Sequence, residues 1–136
     1  MTPLLIDTDI LSRYFRNDAV VVARFNAYTT HQPSINLSVV TCYEIISGLM
    51  FRDARRQMER FREFAALNQV LPLSSSAIEW AARFYADTRR AGAPVDDIDL
   101  LIAGIAAAHR LGVATANVDH FRKIPGLHVE NWSEPA

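Results

Sequence analysis

The chain is poor in lysine and cysteine, and each shortage excludes something. Lys123 is the only lysine among 14 basic residues, so the positive charge sits almost entirely on arginine, which prefers planar, bidentate partners such as carboxylate and phosphate. The single cysteine, Cys42, excludes an internal disulfide framework and fits a reducing cytoplasm, where we expect the protein to act. No apolar run approaches the ~20 residues that span a bilayer, so no membrane association is expected.

Length and composition point to one globular domain that covers residues 1–136. Half of the residues are hydrophobic and 21% are charged, which is enough apolar material for a core and too little charge for a disordered chain. The formal net charge is -1. No overall positive field therefore indicates nucleic-acid binding, and any such function must depend on local features.

Short apolar runs alternate with helical periodicity along the chain. Strands are predicted at 3–6, 34–37, 69–73, 113–115 and 128–130, and helices at 8–15, from 17 onward, and at 39–51, 52–67, 74–90 and 98–111. Gly112 is predicted to cap the last of these helices. Helical spacing within 74–90 directs Ile78, Ala81, Ala82 and Tyr85 inward. The alternation predicts an α/β fold with a central, mainly parallel sheet.

Two acidic clusters lie far apart in sequence, and each adjoins a strongly apolar run. Asp7 and Asp9 follow the first strand, and Asp96, Asp97 and Asp99 open the apolar helix near residue 98. Functional groups of open parallel sheets gather beyond the carboxyl ends of the strands. We therefore expect the two clusters to meet in one crevice.

Three further side chains are predicted to reach the same crevice. Thr115 and Asn117 end the fourth strand, and Glu44 lies in the apolar helix after the second strand. Carboxylates at the rim of a core are costly unless something neutralises them. A hydrated Mg²⁺ or Mn²⁺ suits such a site because it takes oxygen ligands and needs few protein carboxylates. An acidic, metal-filled crevice suits phosphodiester hydrolysis.

The residues around these acids resemble PIN-domain ribonucleases, specifically the VapC toxins of prokaryotic toxin–antitoxin pairs. The stretches that carry the resemblance are 5–11 (LIDTDIL), 38–49 (SVVTCYEIISGL), 99–104 (DLLIAG), 113–121 (VATANVDHF) and 124–132 (IPGLHVENW). Their order and spacing together are fairly specific, although no single motif is decisive. The resemblance implies a PIN-like three-layer α/β/α sandwich with a sheet of four to five short strands.

The resemblance also implies an activity, a site and partners. The activity is metal-dependent endoribonuclease cleavage of a structured RNA, tRNA or rRNA, with Mg²⁺ or Mn²⁺ as cofactor. A VapB-type antitoxin and a homodimer are the implied protein partners. The catalytic residues would be Asp7, Glu44, Asp99 and Asn117, with Asp7 and Asp99 as metal ligands. The fourth position often carries aspartate in the family, so Asn117 leaves one charge missing.

Other residues are assigned supporting roles. Candidates for the outer shell of the site are Thr8, Asp9, Asp96, Thr115 and Asp119, where Asp119 could compensate for Asn117. Candidate contacts to RNA or antitoxin are Arg52, Arg55, Arg56 and Arg60. The plain alternative for the acids is helix capping, and for the arginines an ordinary solvated helix face.

Two other functions compete with RNA hydrolysis. An apolar strand followed by Asp7-Thr8-Asp9 resembles the start of haloacid-dehalogenase-like phosphatases, in which the first aspartate is a nucleophile. Those enzymes need a lysine before a further acidic pair, whereas Lys123 follows the acids. A non-catalytic module that binds an acidic protein through its arginines is the remaining alternative.

Overall fold

The structure, a computed structural model, describes residues 2–136. Its elements follow one another as β1 (Leu4–Ile6), α1 (Thr8–Phe15), α2 (Ala19–Thr29), β2 (Asn36–Ser38), α3 (Val39–Phe51), α4 (Arg55–Leu67), β3 (Gln69–Leu71), α5 (Ser75–Arg90), α6 (Asp97–Ala108), β4 (Gly112–Thr115), α7 (Val118–Phe121) and β5 (Val129–Asn131). Side-chain oxygens of Asp7, Asp18, Ser38 and Ser74 accept backbone N–H groups at the starts of α1, α2, α3 and α5. These caps satisfy donors that the first helical turn leaves free.

The five strands form one sheet in the order β3-β2-β1-β4-β5, and every strand pair is parallel. The chain builds outward from β1 to β2 and β3, then crosses back to place β4 on the other side of β1. The order therefore reverses between β1 and β4, where a crevice opens at the carboxyl ends of the strands. Asp7 directly follows β1, and Thr115 is the last residue of β4.

Apolar side chains pack on both faces of the sheet. One face carries α1, α2, α3 and α4 around a cluster that includes Leu4, Ile6, Tyr28 and Phe61. The other face carries α5 and α6 around Leu5, Val113 and Phe121. Successive β1 residues alternate between the two clusters, as a strand that is buried on both faces requires. The predicted α/β/α sandwich with a parallel sheet of up to five strands is confirmed.

Two local predictions are wrong, and close packing around glycine explains both. Gly112 starts β4 instead of capping α6. Glycine fits this position because a Cβ there would lie 2.7 Å from the His128 ring and 3.0 Å from Leu4. In α6, a Cβ at Gly104 would lie 2.9 Å from Ala81 Cβ and would collide with the Ala77 carbonyl.

The close approach at Gly104 sets which face of α5 is buried. The buried residues of α5 are Ala77, Ala81, Phe84 and Thr88. Of the four predicted inward positions, only Ala81 is buried; Ala82 is exposed, and Ile78 and Tyr85 are 46% and 43% exposed. Small residues on both helices bring α5 and α6 together, and this contact outweighs the burial of the larger apolar side chains.

Two boundaries also differ from the sequence prediction. The helix predicted at 52–67 begins only at Arg55, because Asp53 adopts a left-handed backbone with φ 50° and separates α3 from α4. The helix predicted at 98–111 ends at Ala108, and Arg110 turns the chain with φ 57°. Within residues 2–136, no helix combines the length and apolar character needed to cross a bilayer. The prediction of a single domain over 1–136 and of a cytoplasmic location stays a prediction.

Candidate active site

Asp7 lies at the switch point between β1 and β4 and is held from three sides. Its backbone N–H donates to the Ala114 carbonyl at 2.9 Å, which continues the β1–β4 ladder. Its Oδ1 accepts from the Thr8 N–H at 2.8 Å, and its Oδ2 accepts from the Thr115 hydroxyl at 2.7 Å. The side chain is only 5% exposed. Asp7 is therefore a helix cap, as the plain alternative supposed, and also a fixed carboxylate at the crevice.

The environment of Asp7 opposes ionisation. Burial, together with the nearby charges of Asp9 and Asp99, raises the pKa of the Asp7 carboxyl to about 7, against the lowering effect of the bonds from Thr115 and Thr8. Burial also raises the pKa of Asp9. A carboxyl whose charged form is this disfavoured needs either a proton or a cation.

Only one of the two Asp9 carboxylate oxygens has a hydrogen-bond partner within residues 2–136. Its Oδ2 accepts from the Ala116 N–H at 3.1 Å. Its Oδ1 is shielded from solvent and has no hydrogen-bond partner in the described chain. An unpaired buried carboxylate oxygen is costly. Asp7 and Asp9, named here the buried acid pair, are thus incompletely compensated by the protein.

Glu44 approaches the buried acid pair from α3, through Thr8. The Thr8 hydroxyl donates to Glu44 Oε1 at 2.6 Å and lies 3.0 Å from Thr41 Oγ1. Thr41 is fully buried and is in turn anchored by Ser38, whose hydroxyl lies 3.3 Å away. The start of α3 therefore fixes Glu44 beside the first turn of α1.

Asp99 and Asn117 meet through a histidine that the sequence did not single out. His120 Nδ1 lies 2.9 Å from Asp99 Oδ2 and 2.8 Å from Asn117 Nδ2. Because a carboxylate only accepts, the bond to Asp99 requires a hydrogen on Nδ1, so the same Nδ1 cannot accept from Asn117 Nδ2, and that approach is a contact and not a second hydrogen bond. The backbone N–H of Asn117 donates to Thr115 Oγ1 at 2.9 Å, and the Thr115 hydroxyl in turn donates to Asp7, so Asn117 is linked to Asp7 through Thr115.

Most of the predicted site residues are joined by hydrogen bonds around one crevice, and two are exposed and take no part in those bonds. Asp7, Thr8, Asp9, Glu44, Asp99, Thr115 and Asn117 surround the carboxyl ends of β1 and β4. Asp96 is exposed at the N-cap of α6 and accepts no capping bond there, and Asp119 is exposed on α7. His120, not Asp119, contacts Asp99. The spacing of Asn117 and His120 on one short helical turn was the available signal for this contact.

The donor set fits a hydrated divalent cation and does not fit an enclosed one. Within residues 2–136, no group of three or more His, Cys, Asp or Glu side chains is arranged to hold a metal ion. Asp99 pairs with His120, and Glu44 pairs with Thr8. The unpaired Asp9 Oδ1 and the raised pKa of Asp7 nevertheless indicate uncompensated charge. Mg²⁺ keeps several waters and needs only one or two protein carboxylates, so the number of carboxylates present would be enough for such an ion.

An open cavity of about 450 Å³ extends from Glu44 along α1, α3 and α4. Thr8 and Glu44 form its inner end, and Arg16, Arg52 and Arg60 contribute its cationic groups. We call it the arginine cavity. Of the four predicted arginine contacts it includes Arg52 and Arg60. Arg55 pairs with Asp53 at 3.1 Å, and Arg56 is exposed elsewhere on α4.

The fold and this acidic switch-point crevice define an α/β protein with a candidate metal site, and comparisons with known proteins specify the class. The model of the PIN domain family matches residues 4–127. The tRNA(fMet)-specific endonuclease VapC of Shigella flexneri is 30% identical over 98% of this chain and 100% of its own length. Ribonuclease VapC1 of Methanocaldococcus jannaschii is 24% identical over 89% of this chain and 80% of its own.

A solved structure supports the same assignment. The chain superposes on a chain of DNA-bound VapBC from Salmonella typhimurium with a TM-score of 0.84 and 28% identity, covering 97% of this chain and 99% of the other. The chain therefore belongs to the PIN-domain family and, within it, to the VapC proteins. The haloacid-dehalogenase alternative finds no support in this match.

Proposed function

We propose that this protein is a metal-dependent endoribonuclease that acts as the toxin of a toxin–antitoxin pair. The observation that carries the proposal is the buried acid pair: two incompletely compensated carboxylates at the switch point of a PIN-domain sheet. The relatives named tRNA(fMet)-specific endonuclease and ribonuclease support RNA as the substrate. Between the RNA classes expected from the sequence, those names favour tRNA over rRNA.

Asp7 and Asp99 are the proposed ligands of Mg²⁺ or Mn²⁺. When bound, the cation supplies positive charge for the scissile phosphate and lowers the pKa of a coordinated water. Thr115 orients Asp7, and His120 orients Asp99. Both contacts hold carboxylate oxygens that would otherwise rotate.

Glu44 and Asn117 are the proposed groups that act on the substrate. Glu44, held by the Thr8 hydroxyl, can accept a proton from the water that attacks phosphorus. The Asn117 amide can donate to a phosphate oxygen, although it adds no charge. In-line attack by water leaves a 5′-phosphate and a 3′-hydroxyl. Recovery of 2′,3′-cyclic phosphate ends would exclude this route.

A VapB-type antitoxin is the proposed inhibitor, because a solved neighbour with 28% identity is a VapBC complex. The homodimer stays a prediction. The exposed apolar side chains of Ile78 and Tyr85 on α5, beside Leu101, offer a face for it. Sedimentation of the purified protein would decide its oligomeric state.

The direct test is cleavage of unfractionated tRNA by the purified protein with Mg²⁺ or Mn²⁺, followed by mapping of the new ends. Wild type should cleave, and both a chelator and Asp7→Asn should abolish the cleavage. Equal residual cleavage by wild type and Asp7→Asn would mean that a contaminating nuclease is responsible. The non-catalytic alternative would then be favoured.

A further inference from the structure

The arginine cavity has an unbalanced charge. The residues that line it include three arginines, Arg16, Arg52 and Arg60, but only one acidic residue, Glu44. Within residues 2–136, none of these three arginines forms an ion pair or a side-chain hydrogen bond. Three unpaired arginines around one concave space attract a polyanion.

The arginines come from three different parts of the fold and converge at the same place. Arg16 ends α1, Arg52 ends α3, and Arg60 lies on α4. Arg52 folds back along its helix, since its Nη1 lies only 3.5 Å from the position that a Cβ on Gly48 would occupy. Gly48 is one turn beyond Glu44 on α3, so this guanidinium points back toward the candidate catalytic carboxylate.

The cavity also offers apolar surface and a suitable size. The Arg60 guanidinium lies 5.9 Å from the centroid of the Phe15 ring, and both residues line the cavity with the buried Phe61. Aromatic and guanidinium planes are common stacking surfaces for unpaired bases. The volume of about 450 Å³ lies within the ~300–1,000 Å³ typical of sites for small ligands.

We propose that the arginine cavity is a nucleotide subsite that holds the RNA segment flanking the scissile phosphate. Arg16, Arg52 and Arg60 would contact its phosphates, and Phe15 would contact a base or ribose. The inference depends on the proposed ribonuclease function, because the cavity adjoins Glu44, the proposed catalytic carboxylate. Of the four arginines that the sequence predicts as RNA or antitoxin contacts, the proposal keeps Arg52 and Arg60 as RNA contacts and leaves out Arg55 and Arg56. It adds Arg16, which the sequence analysis did not name.

Binding can be measured independently of cleavage. We would label tRNA(fMet) with fluorescein and follow its anisotropy with protein in the Asp7→Asn background, over a series of salt concentrations. Arg16→Ala, Arg52→Ala and Arg60→Ala should each weaken binding about fivefold or more and lower the slope of log K against log salt by about 0.7–0.9 for each lost phosphate contact. In the active protein, the same changes should raise KM more than they lower kcat.

Arg62→Ala is the matched control, because Arg62 is exposed on the same helix and does not line the cavity. It should change neither the affinity nor the salt slope by more than experimental scatter. All four arginines are exposed, so thermal melts should be alike, and a loss of binding would not reflect unfolding.

Three outcomes would overturn the proposal. The cavity variants could match Arg62→Ala, or Arg55→Ala and Arg56→Ala could weaken binding as much as the cavity variants do. The cavity variants could also keep RNA affinity and lose only their inhibition by the co-expressed antitoxin, which would make the cavity a protein site. If wild type cleaves no RNA but the affinity pattern holds, the proposed catalytic function fails, and the cavity is an RNA-binding site without a scissile phosphate beside it.

Discussion

The buried acid pair and the arginine cavity both adjoin Thr8 and differ in how the fold holds them. Asp7 accepts hydrogen bonds from Thr8 on α1 and Thr115 on β4, donates one to the Ala114 carbonyl on β4, and is almost fully buried. The cavity arginines are exposed and unpaired within the described chain. One region is fixed and carries uncompensated negative charge, whereas the other can adjust and carries positive charge. Under the proposed function, the first region would hold the cation and carry the chemistry, and the second would bind the substrate.

The largest expected effect separates chemistry from stability at Asp7. Asp7→Asn keeps the shape of the side chain and can still cap α1, but it removes the charge that holds a cation. We expect cleavage to fall about a thousandfold or more, equivalent to roughly 4 kcal/mol. The free energy of unfolding without metal should rise, because a disfavoured charge is gone. Cleavage rates and urea denaturation of both proteins measure the two effects.

A protein in which Asp7→Asn lowers both activity and stability would contradict this separation. Asp18→Asn serves as the control for handling and charge. Asp18 caps α2 and forms none of the hydrogen bonds that join the candidate site residues. That change should leave cleavage within about twofold, since its cost lies in helix capping.

Stability should depend on pH through the same carboxyl. Burial raises the pKa of Asp7 from 3.8 to about 7 in the folded state, so the folded protein binds the proton more tightly than the unfolded chain does. Without metal, the free energy of unfolding should therefore fall by a few kcal/mol as pH rises from about 4 to about 7, and level off above. Mg²⁺ should restore part of the loss above about pH 7, when the carboxyl is ionised.

Denaturation in chelator at about pH 5 and about pH 8, with and without the Asp7→Asn change, tests this dependence. In the Asp7→Asn variant, the free energy of unfolding should depend much less on pH. The dependence that remains should come from Asp9, whose pKa is also raised. Wild type that is more stable at the higher pH in chelator would show that the pair is compensated by the protein itself.

The same contrast explains how much of the site the sequence could predict. Asp7 and Thr115 were predictable because they end strands, and the ends of parallel strands meet at one edge. The bond between His120 and Asp99 joins residues 21 positions apart and depends on the conformation of the chain after β4. Arg16 was missed because helical periodicity does not show which exposed residues of three helices surround one cavity. Packing at Gly104, not hydrophobicity, decided the buried face of α5.

A smaller effect is expected at the outer edge of the acidic region. His120→Leu removes the hydrogen that His120 Nδ1 supplies to Asp99 and leaves that carboxylate free to rotate. Loss of such a supporting bond typically costs about 10–100-fold in metal affinity or activity, and we expect the lower end because His120 is exposed. Mn²⁺ affinity, measured by calorimetry, should weaken together with cleavage.

His120→Asn is the informative partner of this variant, because its amide nitrogen can occupy the place of the ring Nδ1. It should recover most of the Mn²⁺ affinity. If His120→Leu binds Mn²⁺ as wild type does, His120 plays no part in positioning Asp99. If both variants lose affinity equally, the imidazole has a role other than this single bond.

The smallest effect should come from Thr8, the residue that belongs to both regions. Its N–H donates to the capping Asp7 carboxylate, and its hydroxyl donates to Glu44 Oε1 at 2.6 Å. Thr8→Val keeps the N–H and the side-chain shape but frees Glu44, so we expect cleavage to fall about fivefold with Mn²⁺ affinity unchanged. Thr8→Ser should behave as wild type, because it keeps the hydroxyl. A parallel loss of Mn²⁺ affinity in Thr8→Val would mean that Glu44 belongs with the metal ligands. Glu44 would then be part of the acidic region and not only a lining residue of the arginine cavity.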